Sequence, residues 1–211
     1  MIPVIRCNER LARAALPAVL AAALVGAAAA LVGAAAALEG AQAADDASRA
    51  PVRAGDEVCL PSGDGYFRAR LGGSVVADLD WPNSGTHCEG EPKEKAAGVR
   101  MSFRRAAAGS PDLLFVFGMS GVREGIDARL ANTNLTLIVQ GTDRVYGTLG
   151  DSRCTVDSLS QRRLPGTDPA VRSYRVEARG FCTQPARAVR GDGEVLVSTF
   201  DFAGIVNYSG Q

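Results

Sequence analysis

The sequence is poor in the side chains that most catalytic and metal sites use. It holds one histidine, one tryptophan and three methionines in 211 residues. A serine or cysteine relay would have to take His87 as its base, and the next residue is Cys88. The chain has no G-x-S-x-G elbow, phosphate-binding loop, H-E-x-x-H pair or dinucleotide fingerprint. It also has no C-x-x-C, and no histidine follows a cysteine at zinc-finger spacing, so a structural zinc is unsupported. Charge of either sign is not in excess: 23 Lys and Arg balance 23 Asp and Glu. Nucleic acid and anionic membrane surfaces need a concentrated basic excess, so the charge balance argues against both as partners.

What the chain does have begins with an export signal. Arg6, Arg10 and Arg13 precede an uncharged run from Ala14 to Leu38, and Ala41-Gln42-Ala43 then offers small residues at −3 and −1 of a peptidase site. This reads as a signal peptide over 1–43, cleaved after Ala43. The run is long enough to span a bilayer. A repeat accounts for the excess: "ALVGAAA" occurs at 23–29 and again at 30–36. Membrane attachment is expected only if this segment stays uncleaved. Residues 44–54, "ADDASRAPVRA", read as a flexible leader, and 55–211 as a single domain.

Cys7 leaves with the signal, and the four remaining cysteines are Cys59, Cys88, Cys154 and Cys182. An even number in an exported chain indicates disulfides, with three connectivities open. The strands "RCTVDSL" and "YRVEARGFC" flank the turn-rich "PGTDP". Pairing about Thr167 sets Cys154 opposite Gly180, with Cys182 its diagonal neighbour. That favours Cys154–Cys182, and Cys59–Cys88 by remainder. Each bridge would contribute roughly 3–4 kcal/mol on the chain-entropy model.

The dominant period is two. In "VRMSFRR", Val99, Met101 and Phe103 share one face. "NLTLIVQ" and "RVYGTL" alternate around "GTD", and "YFRARL" and "SVVADLDW" are joined by Gly-Gly. "DLLFVFGM" and "EVLVSTFDFAGIV" are more continuously apolar, as in central strands covered on both faces. Only 121–131 shows even a weak helical tendency. The pattern predicts an all-β antiparallel sandwich, or flattened barrel, of roughly eight to ten strands.

The most site-like stretch is "DLDWPNSGTHCEGEPKEK", 78–95, read as a long polar loop. Trp81 could offer a stacking platform, with Asn83, His87 and Glu89 supplying hydrogen bonds. The competing reading places Trp81 in the core, because Val75, Ala77, Leu79 and Trp81 fall on one face. No cofactor or metal is implied, although Asp78, Asp80 and Asn83 have calcium-type oxygens, and His87, Met101 and Met119 have copper-type donors. Asp201, inside an apolar run, needs a cationic partner, and Arg175 and Arg179 are candidates. Gly150-Asp151-Ser152 resembles the nucleophile block of the GDSL esterases, whose base lies downstream. Here no histidine follows Ser152, so a turn is the reading. Arg190-Gly191-Asp192 matches an adhesion tripeptide but continues into Asp192-Gly193, a tight-turn dipeptide.

These features describe a secreted or periplasmic, disulfide-stabilised, non-catalytic module that binds a carbohydrate or an envelope protein. The alternatives are a hydrolase using a carboxylate pair that sequence does not locate, and a purely structural envelope component. The exported form is expected to begin at Ala44, which intact-mass measurement of the secreted or periplasmic fraction checks. Recovery only as a full-length, membrane-bound chain would establish an anchor instead.

Overall fold

In the computed structural model, residues 57–106, 112–166 and 168–209 are described; the stretches read from sequence as a signal peptide, 1–43, and a leader, 44–54, lie outside them. Alternation of apolar and polar residues yields eleven strands: β1 (Tyr66–Gly73), β2 (Ala77–Pro82), β3 (His87–Pro92), β4 (Gly98–Arg105), β5 (Leu113–Ser120), β6 (Ala128–Val139), β7 (Val145–Gly147), β8 (Cys154–Arg163), β9 (Val171–Cys182), β10 (Ala186–Ala188) and β11 (Glu194–Ser209). No helix occurs among the described residues. The expected all-β antiparallel fold is present.

The strands form one antiparallel sheet in the order β2-β1-β11-β10-β7-β6-β5-β4-β3, with β8 and β9 making a second route from β11 to β6. β11 and β6 are long enough to serve both halves of the fold. One edge of β11 carries β1, while the other meets β10 at Val195 and β9 from Phe200 onward. β6 meets β8 through Ala128–Thr133 and β7 through Thr136–Ile138. The sheet therefore folds over on itself, and β3 comes back against β11. Gly90 permits that approach: a Cβ there would lie 2.6 Å from the Ile205 carbonyl oxygen and from Val206 Cγ2.

Aromatic side chains hold the two halves together. The Phe67 ring of β1 lies 4.7 Å from Phe115 of β5, 5.0 Å from Phe103 of β4 and 5.1 Å from Trp81 of β2. Phe117 meets Phe200 and Phe202 of β11 at 4.8 and 5.3 Å. Each such contact adds about 0.5–1.5 kcal/mol beyond the area it buries.

Both disulfides have the expected connectivity, Cys59–Cys88 and Cys154–Cys182. The register behind the second differs from expectation. Cys154 faces Cys182 directly, not Gly180, because Asp157 is an extra residue in β8 and the β8–β9 turn lies further along the chain. The first bridge fastens the segment around Val58, which pairs with Ser84, to β3.

Three further expectations are corrected. The stretch 78–95 is mostly strand: β2 runs to Pro82 and β3 starts at His87, so only a short connection remains. β3 is hidden from a hydropathy reading because its inward positions are Cys88 and Gly90. The 121–131 segment turns at Glu124–Gly125 and then enters β6. β5 buries one face, with Leu113, Phe115, Phe117 and Met119 pointing inward, and β11 is covered on both faces only at Ala203, which is buried between Tyr66 and Glu177 while Phe200, Phe202 and Val206 point inward.

Trp81 is 8% exposed and packs on Phe67 and Phe115, so Trp81→Ala should destabilise the fold by about 3–5 kcal/mol. Urea melts of the two proteins check this. A loss below about 1 kcal/mol would contradict the packing described.

Candidate functional site

A strand that buries a phenylalanine turns its next residue to the opposite face of the sheet. In β11, Phe200 and Phe202 point inward, and Asp201 between them points out. The strand register then sets Asp201 in a row crossing six strands. Asp80 of β2 faces Arg68 of β1, which faces Asp201; Asp201 faces Arg179 of β9, which faces Ser158 of β8, which faces Arg129 of β6. Neighbouring members are separated by the strand spacing, about 4.8 Å. In the adjacent row, Tyr66 and Glu177 stand on either side of Ala203.

Hydrogen bonds lock the middle of this face. The Tyr66 hydroxyl donates to Asp201 at 2.9 Å and lies 3.5 Å from Glu177 Oε1. Arg68 Nε donates to Asp80 at 3.0 Å, and its guanidinium lies 4.6 Å from the centre of the Tyr66 ring. Arg175 donates to Asp64 at 2.8 Å and to Glu177 at 2.7 Å. Burial, followed by the Asp201 carboxylate, pushes the Tyr66 phenol well above its ordinary pKa. The Asp80 hydrogen bond and charge raise that of Arg68. The Ser62 hydroxyl, and then the Arg175 guanidinium, hold Asp64 below the usual carboxylate range.

Asp201 lines two open grooves. One, of about 500 Å³, runs over β6, β8 and β9 past Arg129, Ser158, Ser160, Glu177 and Arg179. The other, of about 260 Å³, runs over β1 and β2 past Arg68, Arg70, Asp78 and Asp80. The expectation for Asp201 is thus revised: it is half-buried on an outward face, its hydrogen bond comes from Tyr66, and Arg179 faces it in register while bonding Ser158 at 3.2 Å. The alternation of "FDF" carried the signal that Asp201 points away from the core.

The residues singled out in 78–95 do not converge. Trp81 lies in the core, so its ring offers no face for stacking. Asn83 is a clamp: its Oδ1 accepts the N–H groups of Leu60 at 2.8 Å and Gly65 at 3.0 Å, and its Nδ2 donates to the Leu60 carbonyl at 3.1 Å. His87 and Glu89 sit on the outer side of β3, 3.8 Å apart, and Glu89 also accepts from Ser102 at 3.3 Å. The calcium-type oxygens are separately engaged: Asp78 and Asp80 face Arg70 and Arg68, and Asn83 holds Leu60. Met101 and Met119 are wholly buried, away from the outward-facing His87. Among the described residues, no group of three His, Cys, Asp or Glu side chains is placed to hold a metal. Asp151 accepts a hydrogen bond from Ser120 at 2.9 Å in the β7–β8 turn, and Arg190-Gly191-Asp192 forms the β10–β11 turn.

The Tyr66 environment gives a signed pH dependence. Its folded pKa is raised, so the stability that it adds is complete below the unfolded value near 10 and is lost as pH rises beyond it. Tyr66→Phe should cost about 1 kcal/mol at neutral pH, and the gap from the parent should close in alkaline melts. A gap that stays constant well above pH 10 would contradict this linkage. Comparison of the chain with known proteins returns no matching family model, no matching curated protein and no matching solved structure.

Proposed function

We propose that this chain is an exported, disulfide-stapled envelope module, released by cleavage after Ala43, that binds a carbohydrate without converting it. The binding surface is the outer face of β2, β1, β11, β9 and β8. Two intramolecular disulfides are compatible with an oxidising extracellular or periplasmic compartment.

The observation that carries this reading is the six-strand polar row with a groove on either side of Asp201. The row has little work to do in holding the sheet together. Arg68 and Asp80 are 54% and 76% exposed, and ion pairs so open to water contribute about 0–1 kcal/mol. The aromatic interior supplies the stability. Donors and acceptors that follow one another along a row, over a groove of ligand-binding size, suit a ligand rich in hydroxyl groups.

Hydrolysis has one observation in its favour. Asp201 and Glu177 both approach the Tyr66 hydroxyl, which brings two carboxylates together. That reading requires turnover of a glycoside that both Asp201→Asn and Glu177→Gln abolish. The binding reading predicts no turnover.

Arrayed fragments of envelope and extracellular polysaccharides test the proposal. The mature chain should retain at least one saccharide class, and Arg68→Gln or Asp201→Asn should weaken retention about tenfold with little change in thermal stability. Retention of no saccharide, or retention unchanged in both variants, would overturn it, and capture of an envelope protein instead would favour the protein-partner alternative.

A further inference from the structure

The polar row is electrically uneven. Towards β2, Arg68 and Arg70 each meet a carboxylate, Asp80 at 3.0 Å and Asp78 at 3.5 Å. Towards β6, Arg179 and Arg129 have no carboxylate within ion-pair distance among the described residues. Both are exposed, both line the 500 Å³ groove, and they stand on either side of Ser158 in direct register. Other described arginines also lack such a partner, Arg162 and Arg163 of the same β8 strand among them, but of the unpaired arginines only Arg129 and Arg179 line this groove.

The carboxylates of the same groove are already engaged. Asp127 accepts the Gln161 N–H at 2.9 Å, Glu177 is held by Arg175 at 2.7 Å, and Asp201 takes the Tyr66 hydroxyl at 2.9 Å between Arg68 and Arg179 in register. The charged donors left over belong to Arg129 and to Arg179, which spends only Nε on Ser158 at 3.2 Å. The two arginines are two strand spacings apart, about 9.6 Å between their backbones. Arg179 leans towards Ser158, to which its Nε donates, and an Arg129 side chain reaching the same way would bracket a group above Ser158. A guanidinium fork matches the oxygens of a carboxylate or a sulfate ester two at a time.

We propose that Arg129, Ser158 and Arg179 form an anion clamp, and that the carbohydrate held on this face is therefore acidic, with a carboxylate or sulfate ester between the two guanidiniums. This rests on the carbohydrate reading of the face. The hydroxyl-rich remainder of such a ligand would lie along the row towards Asp201 and Arg68.

The test is calorimetry on the mature chain with three probes: tetragalacturonate, a sulfated galactose tetramer and neutral tetragalactose. At least one acidic probe should bind at least about tenfold more tightly than the neutral one, and more weakly as salt is raised. Arg129→Gln and Arg179→Gln should each weaken that binding about tenfold. Circular dichroism confirms that both variants fold. The acidic probe that binds identifies the anion. Equal binding of acidic and neutral probes, unaffected by either variant, would overturn the clamp and leave the carbohydrate reading standing. Acidic binding that only one variant or neither weakens would also overturn the clamp. Binding of none of the three probes would overturn the clamp, while the carbohydrate reading falls only if the saccharide array also retains nothing.

Discussion

The interlocked aromatic interior is the contact on which the rest depends. Phe67, Phe115 and Phe117 come from one side or the other of a folded-over sheet, and Phe200 and Phe202 join them from the strand that both halves share. Fixing the inward face of β11 also fixes its outward face, because successive side chains alternate. Asp201 points at solvent because its two neighbours are committed to the core. A one-residue slip of β11 would turn Asp201 inward and Phe200 and Phe202 outward, so the core guarantees the geometry of the polar row.

The disulfides act at other points. Cys154–Cys182 ties the start of β8 to the end of β9, next to the bulge at Asp157. That bulge resets the register so that Ser158 meets Arg179 and Ser160 meets Glu177. Cys59–Cys88 fastens the segment before β1 to β3, where Asn83 also bonds Leu60 and Gly65. Neither bridge touches the polar row, yet each pins a strand or connection bordering the face that carries it.

Much of this architecture is readable in the residues themselves. Period-two runs such as "VRMSFRR" need only one apolar face to declare a strand, and the four cysteines beyond residue 43 need only an oxidising compartment to declare pairing. β3 escapes because Cys88 and Gly90 give it an inward side without a hydrophobic signal. Trp81 and Asn83 invite a functional reading because large and polar residues beside a turn are common in binding loops. Here one fills the core and the other replaces backbone partners. The polar row is legible only in fragments. Asp80, Arg68, Asp201, Arg179, Ser158 and Arg129 come from six strands, and their alignment depends on two bulges, at Ser198 and Asp157, that nothing local announces.

The account's central claim is that recognition takes place on the outer face of β1, β11, β9 and β8 and not on the His87–Glu89 side of the molecule. Backbone amide shifts of the labelled protein, followed during titration with the acidic tetramer that binds in calorimetry, address it directly. The account predicts perturbations centred on Arg68, Asp201, Arg179 and Ser158 and fading towards β3. Perturbations centred on His87 and Glu89, with the amides of β9 and β11 unmoved, would contradict it.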